Sequence, residues 1–122
     1  MSNQPELNVN EDRFNALMVN FLGDLGAALN VSNVMIGHRL GLYKVMSEFD
    51  SVTPMELAMR AGVEPRYARE WLSAQAAGGY VDYGSQRQTY LLNQEQAVAL
   101  AKEDSPVFVP KIFERASSLI QG

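Results

Sequence analysis

The side chains best suited to contacting a charged ligand are Arg66, Arg69, Ser73 and Arg87. Spacings of three and four place the first three on one face of a helix. Guanidinium groups contact phosphates and the acceptor edge of guanine, so this face is a candidate DNA-binding surface. Glu70 lies on the same face and opposes that function, because a carboxylate repels phosphate.

Charge does not favour nucleic acid as a partner. The chain carries 10 Lys and Arg against 14 Asp and Glu, a net charge of −4 at neutral pH. Segment 53–91 is neutral, because its arginines and carboxylates are equal in number. Phosphate binding draws on several cations at once, so the sequence predicts only weak, non-specific DNA binding.

Candidate catalytic and metal-binding residues are few. His38 is the single histidine and cysteine is absent, which makes a structural zinc site improbable. No nucleophile or orienting carboxylate lies near His38 in sequence to make it a general base. The sequence therefore predicts no catalytic residue and no metal site, and His38 is expected to make a local hydrogen bond within a helix.

The elements that position the arginines follow the order of a winged helix. Thr53-Pro54-Met55-Glu56 is a capping box with proline at the first helical position, and Gly62 supplies a left-handed stop. Glu64-Pro65 begins a second helix that Gly78-Gly79 ends. Its residues Ala68, Trp71, Leu72 and Ala76 are expected to face the core.

A hairpin follows the two helices. Residues 80–83 and 88–91 alternate as strands around a turn at 84–87. Asn93 to Gln96 caps another short helix, and a last apolar helix starts near Pro110. The predicted fold class is mainly α, a winged helix-turn-helix with long apolar N-terminal helices and a small β-hairpin wing.

The region from 11 to 49 is helical and unusually apolar. One stripe recurs at alternating spacings of four and three and comprises Phe14, Met18, Phe21, Leu25 and Ala28. A second stripe lies beside it and comprises Leu17, Leu22 and Leu29. We expect two helices here, broken near Asn30 to Asn33. One winged-helix core cannot cover both stripes, so the sequence predicts an interface with a second copy. The predicted interface residues are Phe14, Leu17, Met18, Phe21, Leu22, Leu25 and Leu29.

The chain is predicted to be cytoplasmic, with no membrane partner. Residues 1–10 are polar, which is typical of a flexible tail and not of a secretory signal. The longest uncharged stretch, 25–37, has 13 residues, too few to span a bilayer. The absence of cysteine is consistent with a reducing compartment.

Three segments resemble one known family: "FLGDLGAALNVSNVMIGHRLGLYKVM", "TPMELAMRAGVEPRYAREWLSAQAAGGYV" and "EDSPVF". They are similar to the N-terminal domain of certain bacterial class I S-adenosylmethionine-dependent methyltransferases, which resembles that of small-molecule O-methyltransferases. The resemblance runs from about Arg13 to Phe113, and its most specific part is Arg69 to Val81. It implies a winged-helix domain that dimerises and covers the substrate pocket, with a catalytic domain after it.

The chain departs from that family in one respect. Binding of S-adenosylmethionine in that class requires a strand followed by a glycine-rich turn. Here Gly78-Gly79 ends a helix and precedes a strand, the reverse order. We therefore expect no cofactor in this chain, and S-adenosylmethionine and a small-molecule methyl acceptor only in a longer parent.

The expected division of the chain is a tail at 1–10, dimerisation helices at 11–49, a winged helix at 50–92, and C-terminal helices at 93–122. These last helices would lead to a catalytic domain that this chain lacks. The expected function is a non-catalytic dimerisation and pocket-covering domain. The alternative is a small winged-helix transcriptional regulator that binds DNA through Arg66, Arg69, Ser73 and Arg87.

Overall fold

The computed structural model describes residues 8–84 and 87–121. Within them, helices surround a two-stranded antiparallel hairpin, and the mainly α winged-helix fold class is confirmed. The elements are α1 (Glu11–Arg39), α2 (Leu42–Ser47), α3 (Pro54–Ala61), α4 (Pro65–Ala77), β1 (Asp82–Gly84), β2 (Thr89–Leu91), α5 (Gln94–Leu100) and α6 (Val109–Gln121). Most of the predicted tail, residues 1–7, lies outside the described residues.

The first helix is continuous. α1 runs from Asn10, whose side chain caps it, to Arg39, so the predicted break near Asn30 to Asn33 is wrong. Both asparagines are partly buried against α4: the Asn33 carbonyl accepts a hydrogen bond from the Trp71 indole at 2.9 Å. The break occurs instead at Gly41, which has φ +74, a conformation that residues with a Cβ rarely adopt.

The helix-turn-helix has the predicted caps. The Thr53 hydroxyl accepts from the Glu56 backbone N–H at 3.1 Å, and the Glu56 carboxylate accepts from the Thr53 N–H at 2.9 Å. Gly62 ends α3 with φ +72. α4 then begins at Pro65, as the sequence predicts.

The core lies where α2, α3 and α4 meet the C-terminal half of α1. Trp71 is its central aromatic residue. The Tyr43 ring meets the Trp71 ring edge-on, with the ring centroids 5.1 Å apart. α4 turns its predicted face inward, with Ala68 and Leu72 fully buried and Ala76 partly buried. The buried apolar cluster comprises Val34, Leu42, Tyr43, Met46, Val52, Leu57, Ala58, Ala68, Trp71, Leu72, Val81, Tyr90 and Leu100.

The wing is short and tied down at its base. β1 and β2 pair antiparallel with Asp82 opposite Leu91, and Tyr90 exchanges backbone hydrogen bonds with Val52 just before α3. The Gln96 side-chain amide donates to the Asp82 carboxylate at 3.0 Å, which joins α5 to β1. Residues 85 and 86 of the predicted turn lie outside the described residues.

Candidate functional site

The predicted interface residues of α1 lie outside the core of the chain. Their side chains are between 37% and 62% exposed, from Met18 to Leu17. Every residue from 11 to 29 is exposed. Residues 11–29 of α1 therefore form an exposed, largely apolar segment, which we call the apolar arm. No finding tests what covers this arm, and its role as a dimer interface stays a prediction.

Only the C-terminal half of α1 is anchored. Val34 and Gly37 are buried, and a Cβ at Gly37 would lie 2.3 Å from the Trp71 ring. This close approach explains a glycine within a helix. Gly23, in the arm, has no such neighbour: nothing lies within 4 Å of a Cβ built there.

The exposed stripe continues into a groove between α1 and α6. The groove has a volume of about 540 Å³ and is lined by Val31, Ser32, Met35, Ile36, Arg39, Glu114, Ser117 and Ser118. Extending the stripe from Ala28 by spacings of four, three and four reaches Ser32, Met35 and Arg39, all of which line the groove. These lining residues were not predicted from sequence, because the stripe was expected to end at the helix break near Asn30 to Asn33.

α1 is also long and apolar enough, by length and composition, to cross a membrane. Core helices of globular proteins can have the same length and composition. In α1, however, the most apolar stretch is not buried within this chain. Asp24 lies near its centre, and a carboxylate at the middle of a bilayer is unfavourable by about 2.5–3.5 kcal/mol.

The candidate DNA-binding residues lie on the surface, and a carboxylate pairs with one of the three arginines. The Arg66 guanidinium pairs with the Glu70 carboxylate at 3.2 Å, and both side chains are mostly exposed. The Ser73 hydroxyl lies 3.5 Å from that of Tyr90. Arg69 and Arg87 are exposed. Glu70 thus offsets part of the positive charge of Arg66 near the start of α4.

The buried polar residues of the core have a structural role. The Tyr43 hydroxyl donates to the side-chain carbonyl of Gln75. Burial, reinforced by nearby Tyr80, raises the pKa of Tyr43 far above its usual range, so this hydroxyl stays protonated. The sequence predicts a local hydrogen bond for His38. In the structure its ring meets the Phe108 ring edge-on, with the ring centroids 5.2 Å apart.

The described part of the chain does not fit S-adenosylmethionine. Its strands β1 and β2 form one antiparallel hairpin, whereas the cofactor site of that class follows a strand of a parallel sheet. Gly78 packs against Asn30, whose side-chain oxygen would lie 3.0 Å from an added Cβ. Gly78 therefore brings the end of α4 close to α1.

Solved structures with a similar fold include O-methyltransferases. The chain is similar to the mitomycin 7-O-methyltransferase MmcR, with TM-score 0.69 and 19% identity over 92% of this chain and 36% of that one. CalO1, a methyltransferase in calicheamicin biosynthesis solved in its SAH-bound form, gives TM-score 0.64 and 18% identity over 88% and 34%. PigF with SAH gives 0.63 and 18% over 93% and 30%. The chain spans about a third of the length of these structures.

Sequence comparison identifies the family. No curated protein sequence matches the chain significantly. A family model described as the Rv2258c-like winged HTH domain matches residues 27–102, more than half of the chain. The match includes the C-terminal half of α1, the helix-turn-helix, the wing and α5. The chain therefore belongs to the Rv2258c-like winged HTH domain family.

Proposed function

We propose that this chain is the N-terminal, non-catalytic domain of an S-adenosylmethionine-dependent methyltransferase. In this proposal it joins two copies of the protein through α1 and covers the pocket that holds a small-molecule methyl acceptor. The observation that carries the proposal is the exposed apolar arm of a helix that is otherwise anchored in a winged-helix core. The shared fold with O-methyltransferases supports the parent activity.

The arm needs a cover for energetic reasons. Burying a large apolar side chain fully is worth about 1.5–3 kcal/mol, and eight such side chains are exposed along 14–29. Their stripe is self-complementary, since the same helix from a second copy presents the same residues. A second copy is therefore the simplest cover.

Mass measurement tests the dimer. Light scattering at micromolar concentration is expected to give twice the 13.5 kDa mass of the chain. Leu25→Glu should make the protein monomeric, because a carboxylate would be buried in the centre of the interface. Met59→Glu is the matched control: Met59 is an exposed helical side chain on α3, and its substitution should leave the mass unchanged. A monomeric wild-type protein contradicts the dimer.

The apolar arm could instead bind lipid. One further measurement distinguishes lipid binding from association with a second copy. Sedimentation with neutral and anionic vesicles is expected to leave the chain in solution. Co-sedimentation that Leu25→Glu abolishes, from a protein that is monomeric in solution, would assign the arm to a membrane.

Two measurements address the methyltransferase assignment. Calorimetric titration of this chain is expected to show no S-adenosylmethionine binding, whereas micromolar affinity would reveal a cofactor site in the chain. The coding sequence after the codon for Gly122 is expected to encode a β-strand followed by a glycine-rich turn. A stop codon there would contradict the parent activity.

The alternative function, a DNA-binding regulator, is favoured by the complete winged helix. Its test is a selection from random duplexes, followed by titration near physiological salt. We expect no enriched motif. A motif bound at nanomolar affinity and weakened by Arg66→Ala and Arg69→Ala would reverse the ranking. Each lost phosphate contact would lower the slope of log affinity against log salt by about one.

A further inference from the structure

The stripe on α1 is longer than its apolar part and has ends of opposite charge. Alternating steps of three and four, starting at Glu11, give Glu11, Phe14, Met18, Phe21, Leu25, Ala28, Ser32, Met35 and Arg39. The pattern begins with an anion and ends with a cation. It occupies the full length of α1, which begins at Glu11 and ends at Arg39.

The midpoint of the stripe is also the midpoint of the helix. Leu25 lies 14 positions from Glu11 and 14 from Arg39. Suppose that a second α1 lies antiparallel to the first about a two-fold axis at Leu25. The residue numbers of two side chains that face each other then add up to about 50. Within the stripe, the pairs are then Glu11 with Arg39 and Met18 with Ser32. Phe14 and Phe21 pair with Ile36 and Leu29, which follow the stripe residues Met35 and Ala28 by one position.

The groove beside α6 gives this register a physical basis. Ile36 and Met35 form its apolar wall on α1, and Arg39 lies at its end. In the antiparallel register, the ring of Phe14 from the second copy reaches this wall. A parallel register instead places Glu11 beside Glu11 and Arg39 beside Arg39, which is repulsive at both ends, and leaves the groove unfilled.

We infer that two copies pair through antiparallel α1 helices centred on Leu25. Phe14 of each copy enters the α1–α6 groove of the other, and Glu11 forms an ion pair with the partner's Arg39. The inference rests on the dimerisation proposed above and adds its register. Each groove is incomplete without the second copy, because the arm of the same chain points away from it along α1.

Cysteine cross-linking tests the register, since the chain has no cysteine of its own. Chains carrying Glu11→Cys are mixed with chains carrying Arg39→Cys, unfolded and refolded together, and oxidised. We expect a mixed disulfide, because a disulfide needs Cβ atoms about 3.8 Å apart. Asp12→Cys mixed with Arg39→Cys is the matched control. Asp12 lies about 100° further around the helix, so its cross-link should form at least about tenfold more slowly.

The outcomes are distinguishable from failure of the proposed function. A protein that is dimeric by light scattering, yet cross-links Glu11→Cys chains to each other, would overturn the antiparallel register and leave the dimer standing. Equal rates for the Asp12→Cys and Glu11→Cys mixtures would also overturn it. A monomeric wild-type protein would remove the dimer and the register together.

Charge reversal gives a second readout. Glu11→Lys is expected to raise the dissociation constant of the dimer about tenfold, because two attractive pairs become repulsive. Adding Arg39→Glu should restore affinity to within about threefold of wild type. Asp12→Lys places the same charge in the same first turn of α1, so it has the same unfavourable interaction with the helix dipole. Equal weakening by Asp12→Lys, without rescue in the double variant, would contradict the pairing.

Discussion

The two halves of α1 belong to one unbroken helix and yet have opposite environments. In the C-terminal half, Val34 and Gly37 are buried against α4; in the arm, residues 11–29 are all exposed. Both halves are apolar and helical in sequence. The difference shows that apolar periodicity indicates a need for burial, whereas the location of the covering surface depends on tertiary contacts.

The largest expected contrast between the two halves is in the free energy of unfolding. Trp71→Ala should lower it by about 3–5 kcal/mol, because the substitution empties the centre of the core. Phe21→Ala in the arm should change it by less than about 0.5 kcal/mol. Both changes are made in the Leu25→Glu background, so that association does not contribute, and urea denaturation measures them. Equal losses would mean that the arm packs within its own chain.

Glycine substitutions sharpen the same contrast within one helix. Gly37→Ala should destabilise the protein by about 1–3 kcal/mol, because its Cβ would collide with the Trp71 ring. Gly23→Ala meets open space and should raise helix stability by up to about 1 kcal/mol. Urea denaturation and circular dichroism of the same monomeric background report both effects. Stabilisation by Gly37→Ala together with destabilisation by Gly23→Ala would contradict the anchoring of α1 by Trp71.

Helix caps extend the comparison to smaller effects. Thr53→Ala removes the capping-box hydroxyl of α3 and should lower the free energy of unfolding by about 1 kcal/mol. Asn10→Ala removes the corresponding cap of α1, whose side chain accepts from the Arg13 N–H at 3.0 Å. In the monomeric background, its loss should only fray the arm. Hydrogen exchange is expected to speed up in 11–20 without a change in the urea midpoint.

The smallest expected effect is a pH dependence at the same cap of α3. Hydrogen bonds with Thr53 hold the pKa of Glu56 below its ordinary value of 4.5. The backbone hydrogen bond has the larger effect and the side-chain hydrogen bond the smaller one. The stabilisation is therefore present above that ordinary value and is lost as the pH falls through the lowered one. Glu56→Gln should flatten the acid side of the stability profile measured by urea titration. Identical slopes for both proteins would contradict this role.

Prediction from sequence succeeded where the signals were local. The capping box at Thr53 and Glu56, the stop at Gly62 and the inward face of Ala68, Trp71 and Leu72 involve residues within one or two helical turns. The break expected near Asn30 to Asn33 failed because asparagine is only mildly unfavourable in a helix. Its propensity was overridden by packing against α4.

The candidate site was predicted only in part. Exposure of Phe14, Leu25 and their neighbours follows from a count of apolar residues that exceeds what one small core can cover. The α1–α6 groove was not predicted, because Ser32 and Arg39 are polar and Glu114 lies about 80 positions away in the chain. Such a long-range juxtaposition has no local signature.

The sequence by itself determined the helical caps, the winged-helix order, the acidic balance that disfavours phosphate binding and the surplus of apolar residues in α1. Those properties depend on backbone propensity, net charge and composition, which are independent of the rest of the fold. Only the tertiary structure decided that α1 is continuous and that Ser32, Met35 and Arg39 line a groove with α6. Each of these depends on which side chains meet across the folded chain, and that is set by the shared core around Trp71.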